Sequence, residues 1–344
     1  MAAIASCETP AAAQSLPGTA AGAGHGLRVH VRAVRRLATD VIELVLEPEG
    51  GVAAPYEAGA HLRLRLAGGL ERSYSLCPGG DGRYVIAVKR EENSRGGSAA
   101  VHALRVGDSL GFEGPFNAFA LDWREKRLML IAGGIGITPI YAMADEAWRR
   151  GHPFELHYFV RSHEHAAYAQ VLRDAPYAAH VHLHVGLEAD AVHRTLSDMA
   201  ARTKVDDGAY VCGPRPLIDL ARSLFEPLLG REHTHWESFG GALTPVPQRI
   251  EEATNEGAFE LRLASGEGPF AVPPGCSALQ VLLDAGIDVP HSCREGECGM
   301  CVVDVVEGTP EHRDRFLSDE VRASGQCMAL CVSRARTATI VVDF

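Results

Sequence analysis

The chain has 344 residues, enough for two or three domains with separate hydrophobic cores. Its formal net charge of −11 argues against nucleic-acid binding, which requires a basic surface. It contains no run of about 18 apolar residues that could span a bilayer. Residues 1–26 are rich in Ala and Gly and lack the basic start and continuous apolar core of a secretory signal. We therefore expect a cytoplasmic protein with a disordered extension at residues 1–26.

Residues 27–124 consist of short runs in which apolar and polar residues alternate, separated by turn signals rich in Pro and Gly. The alternation predicts six strands, at residues 27–34, 41–46, 61–66, 72–77, 83–90 and 109–112. Several short strands at this spacing are typical of a small antiparallel barrel or sandwich.

The pattern changes in residues 125–240. The continuous apolar run at residues 128–132 is typical of a strand that is buried on both faces. Further strands are predicted at residues 154–160, 181–185 and 209–212. They alternate with four helical stretches. The first ends near residue 150, and the others cover residues 165–173, 195–202 and 216–229. This alternation predicts a parallel α/β sheet with right-handed crossovers.

The remainder of the chain is a linker and a small mixed domain. Residues 241–256 contain two prolines and little periodicity, which is typical of a linker. Residues 257–344 are predicted to contain a hairpin at 259–263 and 270–272, a helix at 278–285, and strands at 301–307 and 339–342.

Three cysteines of this last domain, Cys293, Cys298 and Cys301, have the C-x4-C-x2-C spacing of plant-type [2Fe–2S] sites. Gly296 and Gly299 allow the loop to curl, so that amide N–H groups can point at the sulfurs. Zinc sites usually combine two short Cys-x2-Cys pairs, and only one occurs here. The pattern therefore favours an iron–sulfur cluster over zinc or unligated buried thiols.

The fourth thiolate ligand has two candidates, Cys327 and Cys331, which follow Cys301 after 25 and 29 intervening residues. Cys331 lies in a short apolar segment, residues 330–333, that can pack against the cluster loop. Cys327 follows a Gly-Gln pair and is interpreted as a loop thiol. We expect Cys331 to be the ligand.

A glycine-rich turn joins the apolar strand at residues 128–132 to the next helix. Main-chain N–H groups and the helix dipole at such a turn favour a phosphate. Because the turn lacks the G-x-G-x-x-G pattern, glycines with a purely structural role explain it equally well. Cys212, Gly213 and Pro214 follow a later strand at the same edge of the sheet, where open parallel sheets bind ligands. A buried core thiol is the commoner role for a cysteine such as Cys212.

Two segments of the predicted barrel combine cations, hydroxyls and glycines: Arg72, Ser73, Tyr74 and Ser75, and then Arg95, Gly96, Gly97 and Ser98. Tyr74 and Ser75 alternate across a strand, so a flat ring could meet the side chain of Tyr74 and the main chain of Ser75. The second segment leads into a short helix and is suited to a phosphate. A solvated arginine and an ordinary turn explain the same residues equally well.

These motifs occur together in the order found in one family. The chain resembles the phthalate dioxygenase reductase family, close to the vanillate O-demethylase reductases. The matching segments are residues 72–77, 84–90, 95–98, 133–139, 212–214 and 237–240, the cluster loop and residues 331–335. The resemblance covers residues 27–344, and the extension at residues 1–26 and the additional Cys327 depart from it.

The resemblance implies a multidomain β, α/β and α+β architecture. An antiparallel FMN-binding barrel would occupy residues 27–124, and a parallel α/β NAD-binding domain of the ferredoxin reductase type residues 125–240. After the linker at 241–256, residues 257–344 would form a β-grasp plant-type [2Fe–2S] ferredoxin domain.

The resemblance also implies the roles of individual residues. FMN would be bound through its phosphate by Arg72, Arg95, Gly96, Gly97 and Ser98, with Ser73 and Lys89 nearby, and along its ring by Tyr74, Ser75, Ala87 and Val88. NADH would be bound by Gly133, Gly134, Ile135, Gly136, Thr138, Pro139, Arg161, Ser162, Cys212, Gly213 and Pro214. Ser75, Thr138, Cys212 and Phe239 would surround the position of hydride transfer. The cluster would be held by Cys293, Cys298, Cys301 and Cys331.

The implied function is that of an NADH-dependent reductase for a Rieske-type aromatic oxygenase. A hydride would pass from NADH to FMN, and single electrons would leave through the [2Fe–2S] cluster. Residues 256–344 contain 14 acidic residues, 7 Arg and no Lys. This negative charge could steer the domain to a basic partner or simply aid solubility.

Competing hypotheses are an iron–sulfur and flavin redox sensor and a reductase for another acceptor protein. NADPH is an alternative because Arg161 could meet a 2′-phosphate, although the acidic Glu164 nearby favours NADH.

Overall fold

The structure is a computed structural model. It describes residues 27–92, 96–239, 257–287, 289, 291, 296, 299, 301–314, 316, 317 and 319–344. The chain divides into two compact units, one of which contains residues 27–239 and the other residues 257–344. The predictions for residues 1–26 and 241–256 lie outside the described residues.

The first part of the larger unit is a closed six-stranded barrel. Its strands are β1 (Arg28–Ala38), β2 (Val41–Pro48), β3 (Ala60–Leu66), β4 (Leu70–Cys77), β5 (Tyr84–Lys89) and β6 (Ser109–Asn117), and the helix α1 (Gly97–His102) lies between β5 and β6. All neighbouring strands are antiparallel, in the order β1-β2-β5-β4-β3-β6. Apolar side chains that alternate along the strands, among them Leu44, Leu62 and Ile86, fill the interior. The predicted antiparallel barrel is confirmed.

The second part of this unit is a five-stranded parallel sheet with helices. Its strands are β7 (Leu128–Gly133), β8 (Phe154–Val160), β9 (Val181–Val185), β10 (Gly208–Cys212) and β11 (Thr234–Glu237), and its helices are α2 (Ile137–Arg149), α3 (Ala169–Asp174), α4 (Ala189–Ala200) and α5 (Arg215–Leu229). The order is β11-β10-β7-β8-β9, with every pair parallel. The central strand β7 is buried throughout, which explains its unbroken apolar sequence.

Three details of this sheet differ from the sequence prediction. The edge strand β11 was not predicted, because its four residues contain no apolar run. The helix α4 begins six residues before the predicted start at residue 195. The helix α3 begins at Ala169 rather than at residue 165, because Tyr168 has a left-handed backbone with φ of 61° that a helix cannot continue through.

The barrel and the parallel sheet share a hydrophobic core. Val41, Cys77 and Ala87 of the barrel belong to the same buried cluster as the residues of β7 and α2. Two buried hydrogen bonds also join them. The N–H of Ala58 donates to Glu146 of α2 at 2.7 Å, and the hydroxyl of Tyr168 donates to Glu43 of β2 at 3.0 Å. The carboxyl edge of the sheet is therefore held at a fixed position against the barrel.

The smaller unit is a β-grasp domain. It contains β12 (Phe259–Leu263), β13 (Phe270–Val272), β14 (Val302–Glu307), β15 (Pro310–Glu311), β16 (Cys327–Ala329), β17 (Arg334–Ala335) and β18 (Thr339–Asp343), with α6 (Ala278–Asp284) and α7 (Asp319–Ser324). The main sheet has the order β13-β12-β18-β14-β16, in which only β12 and β18 are parallel. The helix α6 contributes Leu279 and Leu282 to the core. Across the described residues, no helix is both long and apolar enough to cross a membrane.

The interpretation of Cys327 as a loop thiol was wrong. Cys327 lies on β16, opposite Asp304 of β14, and its side chain is fully buried. The preceding Gly325 suggested a turn, but the pairing with β14 begins within two residues of it. A strand of three residues is defined by such pairing and not by its own sequence.

Candidate active site and cluster site

Two turns meet at the carboxyl edge of the parallel sheet, one after β7 and one after β10. A Cβ atom on Gly136 would lie 2.1 Å from the carbonyl oxygen of Cys212, and a Cβ atom on Gly133 would lie 2.6 Å from Cδ of Pro214. Gly133 and Gly136 are therefore required by the close approach of the two turns. Gly134 differs, because its Cβ position is open and its φ of +54° is left-handed. The structure thus brings the two sequence motifs together at the edge where open α/β sheets bind ligands.

Ser75, Cys212 and Glu237 lie together where the barrel meets the sheet. The hydroxyl of Ser75 on β4 donates to Oε2 of Glu237 at 3.4 Å, and Glu237 is the register partner of Cys212 on the adjacent strand. Burial, and then the nearby Glu237 carboxylate, raises the pKa of the Cys212 thiol well above its usual value. This thiol therefore stays protonated, and Cys212 is fully buried in the core that the barrel and the sheet share, as expected of a core thiol. The polar groups beside it are the hydroxyl of Ser75 and the carboxylate of Glu237.

Glu237 was missed by the sequence reasoning, although it begins a matched segment. Because β11 was not predicted, nothing in the sequence indicated that Glu237 ends a strand beside Cys212. Phe239, to which a role was assigned, follows two residues later, and 37% of its surface is exposed.

Thr138 and Pro139 begin the helix α2. Thr138 is buried, and its hydroxyl donates to the carbonyl of Ile135 at 3.1 Å. Pro139 lies in the first turn, where its missing N–H leaves no hydrogen bond unmade. Thr138 therefore closes the glycine-rich turn, and its position beside the flavin stays a prediction.

Arg72 lies across the beginning of α1. A Cβ atom on Gly97 would lie 2.7 Å from Cγ of Arg72, so the glycine makes room for the arginine side chain. Gly96 precedes the helix with a left-handed φ of 89°. Arg72 donates to the carbonyl of Glu71 at 2.7 Å, and among the described residues no carboxylate forms an ion pair with it. This half-buried guanidinium is suited to a phosphate. Arg95 lies outside the described residues.

The other barrel residues named from the sequence have different surroundings. Burial raises the pKa of Tyr74 to about 12 although Arg72 opposes the shift, so the phenol is neutral. Ala87 faces the core shared with the sheet, whereas Val88 faces the barrel interior and accepts a hydrogen bond from His102 through its carbonyl. Val88 can therefore meet a ligand only through its main chain. The remaining residues are the exposed Ser73, Lys89, which pairs with Glu91 at 2.6 Å, and Ser98, whose hydroxyl accepts the N–H of Glu91.

Arg161 and Ser162 follow β8 at the same edge of the sheet. The guanidinium of Arg161 lies 3.6 Å from the carboxylate of Asp40 on the barrel. The hydroxyl of Ser162 lies 2.8 Å from Nδ1 of His165. The sequence reasoning named both residues and gave no indication of Asp40.

In the smaller unit, two glycines of the cluster loop are required by packing. Gly296 and Gly299 have left-handed φ values of +74° and +75°. A Cβ atom on Gly296 would lie 2.6 Å from Val332, and one on Gly299 would lie 2.4 Å from the ring of Phe316. The loop is therefore pressed against its own domain at these two positions.

Cys301 and Cys331 are both buried, and neither is part of a disulfide. The carbonyl of Cys301 accepts the N–H of Leu330 at 3.0 Å, which holds Cys301 beside the segment that contains Cys331. Cys327 is engaged in a disulfide and is not a free thiol. Cys293 and Cys298 lie outside the described residues. Among the residues that are described, no three metal-ligating side chains lie close enough together to hold a metal ion. The two neighbouring buried thiols and the packed glycine loop fit a [2Fe–2S] cluster.

Comparisons with known proteins agree with this arrangement. The family described as "2Fe-2S iron-sulfur cluster binding domain" matches residues 265–336. The chain is 40% identical to tetrachlorobenzoquinone reductase of Sphingobium chlorophenolicum, over 91% of this chain and 96% of that protein. It is 39% identical to vanillate O-demethylase oxidoreductase of Pseudomonas sp. (strain HR199 / DSM 7063), over 92% and 99%. The solved structure of phthalate dioxygenase reductase, described as modular for electron transfer from pyridine nucleotides to [2Fe–2S], matches with a TM-score of 0.67 and 34% identity, over 92% of this chain and 97% of that one.

Proposed function

The chain belongs to the phthalate dioxygenase reductase family, and we propose that it is the NADH-dependent reductase component of a Rieske-type aromatic oxygenase system. It is an oxidoreductase that carries electrons from a pyridine nucleotide through a flavin to a [2Fe–2S] cluster, and its cofactors are FMN, NADH and the cluster. When bound, FMN takes up two electrons as a hydride and releases them singly to a cluster that carries one.

The observation that carries the proposal is the meeting of Ser75 with Glu237 and Cys212. Ser75 belongs to the barrel strand that also contains Arg72 and Tyr74, and Cys212 ends the strand beside the glycine-rich turn. A flavin held along β4 and a nicotinamide held at the sheet edge would therefore come together at Ser75. Because barrel and sheet share one core, this meeting point is fixed before either ligand binds.

On the flavin side, Arg72 would hold the phosphate of FMN, because its guanidinium lies over Gly97 with no carboxylate partner among the described residues. Tyr74 would pack on the ring as a neutral phenol. Ser75 would present its hydroxyl oxygen to the ring as an acceptor, because its proton is donated to Glu237. Lys89, already paired with Glu91, would contribute only to the general positive potential.

On the nucleotide side, the turn at Gly133, Gly134 and Gly136 would hold the pyrophosphate through its main-chain N–H groups. Cys212 would lie beneath the nicotinamide as a buried neutral thiol, since its raised pKa excludes a nucleophilic role. Phe239, partly exposed beyond β11, would cover the same face and exclude water. No residue has to transfer a proton for a hydride to move between the two rings.

In the smaller unit, Cys293, Cys298, Cys301 and Cys331 would hold the cluster. Residues 256–344 contain 14 acidic residues and only 7 Arg, and this negative charge supports docking to a basic patch on the oxygenase. The first two ligands lie outside the described residues, and the last two are buried thiols that are not part of a disulfide.

The proposal is tested by mixing the anaerobic, NADH-reduced protein with oxidised phthalate dioxygenase or with the oxygenase of a vanillate O-demethylase. We expect the Rieske centre of at least one to be reduced, as read by its electron paramagnetic resonance signal, and the rate to fall with added salt. Ferricyanide serves as the control acceptor that needs no protein docking.

A second candidate acceptor is a small quinone, which the 40% identity to tetrachlorobenzoquinone reductase favours. In that case tetrachlorobenzoquinone would be reduced rapidly by NADH-reduced protein, and neither Rieske centre would be. This outcome would contradict the oxygenase proposal and leave the electron-transfer activity intact.

A further inference from the structure

The barrel places a carboxylate on the nucleotide edge of the parallel sheet. Asp40 belongs to the two-residue turn between β1 and β2, and its Oδ2 lies 3.6 Å from a guanidinium nitrogen of Arg161. Arg161 follows the last residue of β8 and is 68% exposed, whereas the side chain of Asp40 is only 19% exposed. The arginine is therefore accessible to a ligand, and the acid that faces it is held largely inside the protein.

The turn that contains Asp40 is fixed on the loop after β8. The N–H and the hydroxyl of Thr39 both donate to the carbonyl of Glu164, at 2.9 and 3.2 Å. The carbonyl of Asp40 accepts the N–H of Arg90 at 2.7 Å. Its Oδ1 is buried and has no hydrogen-bond partner among the residues that the structure describes. The main chain of Asp40 is therefore held beside Arg161 by the contact between the barrel and this loop.

Arg161 occupies the position at which nucleotide-binding α/β domains distinguish NAD from NADP. It lies 25 residues after Gly136, at the carboxyl end of the strand next to β7. In such domains the residue at this distance binds the 2′-hydroxyl of the adenosine ribose if it is acidic, and an arginine there accommodates a 2′-phosphate. An accessible arginine alone would therefore predict a preference for NADPH, in conflict with the proposed use of NADH.

We propose that Asp40 is the residue that makes this protein prefer NADH, because it neutralises Arg161 and presents a negative charge to any 2′-phosphate. This inference rests on the proposed function, since it requires the pyrophosphate to lie at the turn of Gly133 to Gly136. Cofactor choice is then set by the flavin-binding barrel and not by the nucleotide domain alone. The mechanism excludes the wrong ligand by repulsion as well as by the loss of an attractive partner.

The test compares three forms of the full-length protein: wild type, Asp40→Asn and the matched control Glu47→Gln. Glu47 lies on the same β1–β2 hairpin and also pairs with an arginine, Arg32, but on the barrel alone. Calorimetric titration with ADP and with 2′,5′-ADP measures recognition of the 2′-phosphate without turnover. Anaerobic reduction of the flavin by NADH and by NADPH measures the consequence for the reaction.

We expect Asp40→Asn to bind 2′,5′-ADP about tenfold more tightly, the effect of one restored charged contact, and to bind ADP as before. The ratio of the flavin reduction rate with NADPH to the rate with NADH should rise by the same factor. Glu47→Gln should change neither this ratio nor the affinity for 2′,5′-ADP. Adding Arg161→Gln to Asp40→Asn should remove the gain.

Two results would overturn the inference. In the first, NADH reduces the flavin of Asp40→Asn as it does in the wild type, and the variant keeps the wild-type preference for NADH over NADPH and the wild-type affinity for 2′,5′-ADP. The inference then fails, and the proposed function stands. If neither nucleotide reduces the flavin of the wild-type protein, both fail.

Discussion

Ser75 on the barrel and Glu237 at the end of β11 are joined by a hydrogen bond of 3.4 Å, although 162 residues separate them in the chain. The bond crosses the boundary between the two domains that were predicted from the sequence. It also directs the hydroxyl of Ser75 toward the residue that is paired with Cys212 across β10 and β11.

The first prediction concerns this hydroxyl. Replacing Ser75 by Ala should slow the reduction of bound flavin by NADH about tenfold, because one oriented hydrogen bond is lost. FMN content should not change, since Arg72 and Tyr74 remain. Rapid-mixing spectroscopy under anaerobic conditions measures the rate. Ser109→Ala, which removes a barrel hydroxyl that accepts a hydrogen bond from Arg28, is the matched control. An unchanged rate in Ser75→Ala would remove Ser75 from the site.

The second prediction concerns the contact between the two turns. The Cβ atom of Ala at position 136 would lie 2.1 Å from the main chain of Cys212, and a main-chain neighbour cannot rotate away. We expect Gly136→Ala to lower the free energy of unfolding by about 1–3 kcal/mol and to weaken NADH binding. Chemical denaturation and nucleotide titration measure the two effects. Gly80→Ala, where the Cβ atom meets nothing within 4 Å, should change neither.

The third prediction concerns the loop of the smaller unit. Gly299→Ala should reduce the iron and labile sulfide bound per chain, because its Cβ atom would lie 2.4 Å from the ring of Phe316. Gly275→Ala separates this clash from backbone strain. Gly275 has a similar left-handed φ of +78° but an open Cβ position, so that variant should keep its cluster. Equal losses in both variants would show that strain, and not packing, controls cluster assembly.

The fourth prediction concerns the choice between two cysteines. Cys331→Ser should abolish the normal [2Fe–2S] absorbance, because a hydroxyl is a poor substitute for a thiolate. Cys327→Ser should keep the cluster, since Cys327 is buried on β16 and is not a free thiol. Metal analysis and electron paramagnetic resonance of the two variants measure the difference. The reverse pattern would make Cys327 the fourth ligand.

The fifth prediction is a dependence of stability on pH. Burial, with the neighbouring His182 and His184, lowers the pKa of His157 from 6.5 to about 3. Between these values the unfolded chain binds a proton that the folded protein does not, so stability falls as the pH falls. The contribution of His157 is complete above a pH of about 6.5 and is lost toward pH 3, with a slope of at most about 1.4 kcal/mol per pH unit.

His157→Gln should therefore flatten the stability profile below pH 6.5. The difference in unfolding free energy between variant and wild type at pH 8 reports packing alone and serves as the internal control. That difference should shrink as the pH is lowered to 5. A difference that stays constant with pH would show that the native protein binds this proton as the unfolded chain does.

The sequence predicted what depends on local pattern. The alternation in residues 27–124 specified the six barrel strands, the apolar run at 128–132 specified the central strand β7, and cysteine spacing specified the cluster loop. Each of these signals lies within a window of about a dozen residues. The edge strand β11 and the strand β16 escaped prediction because each is four residues or fewer and exists through its pairing with a neighbour.

The parts of the site that could not be predicted depend on pairs distant in the chain. Asp40 of the barrel and Arg161 of the parallel sheet form an ion pair. The sequence around either residue gives no indication of the other. The same holds for Glu237, which was assigned no role until β11 placed it beside Cys212. Family resemblance supplied roles for residues that match a motif, and it could not supply contacts made by residues outside the motifs.

The central claim is that one chain accepts a hydride from NADH and passes single electrons to a [2Fe–2S] cluster. The most direct test is an anaerobic titration of the purified protein with NADH, followed by visible absorbance and electron paramagnetic resonance. The account predicts that flavin and cluster absorbance are both lost after uptake of about three electrons per chain, two by FMN and one by the cluster. A spectrum without iron–sulfur bands after anaerobic purification, or a flavin that bleaches while the cluster stays oxidised, would contradict it.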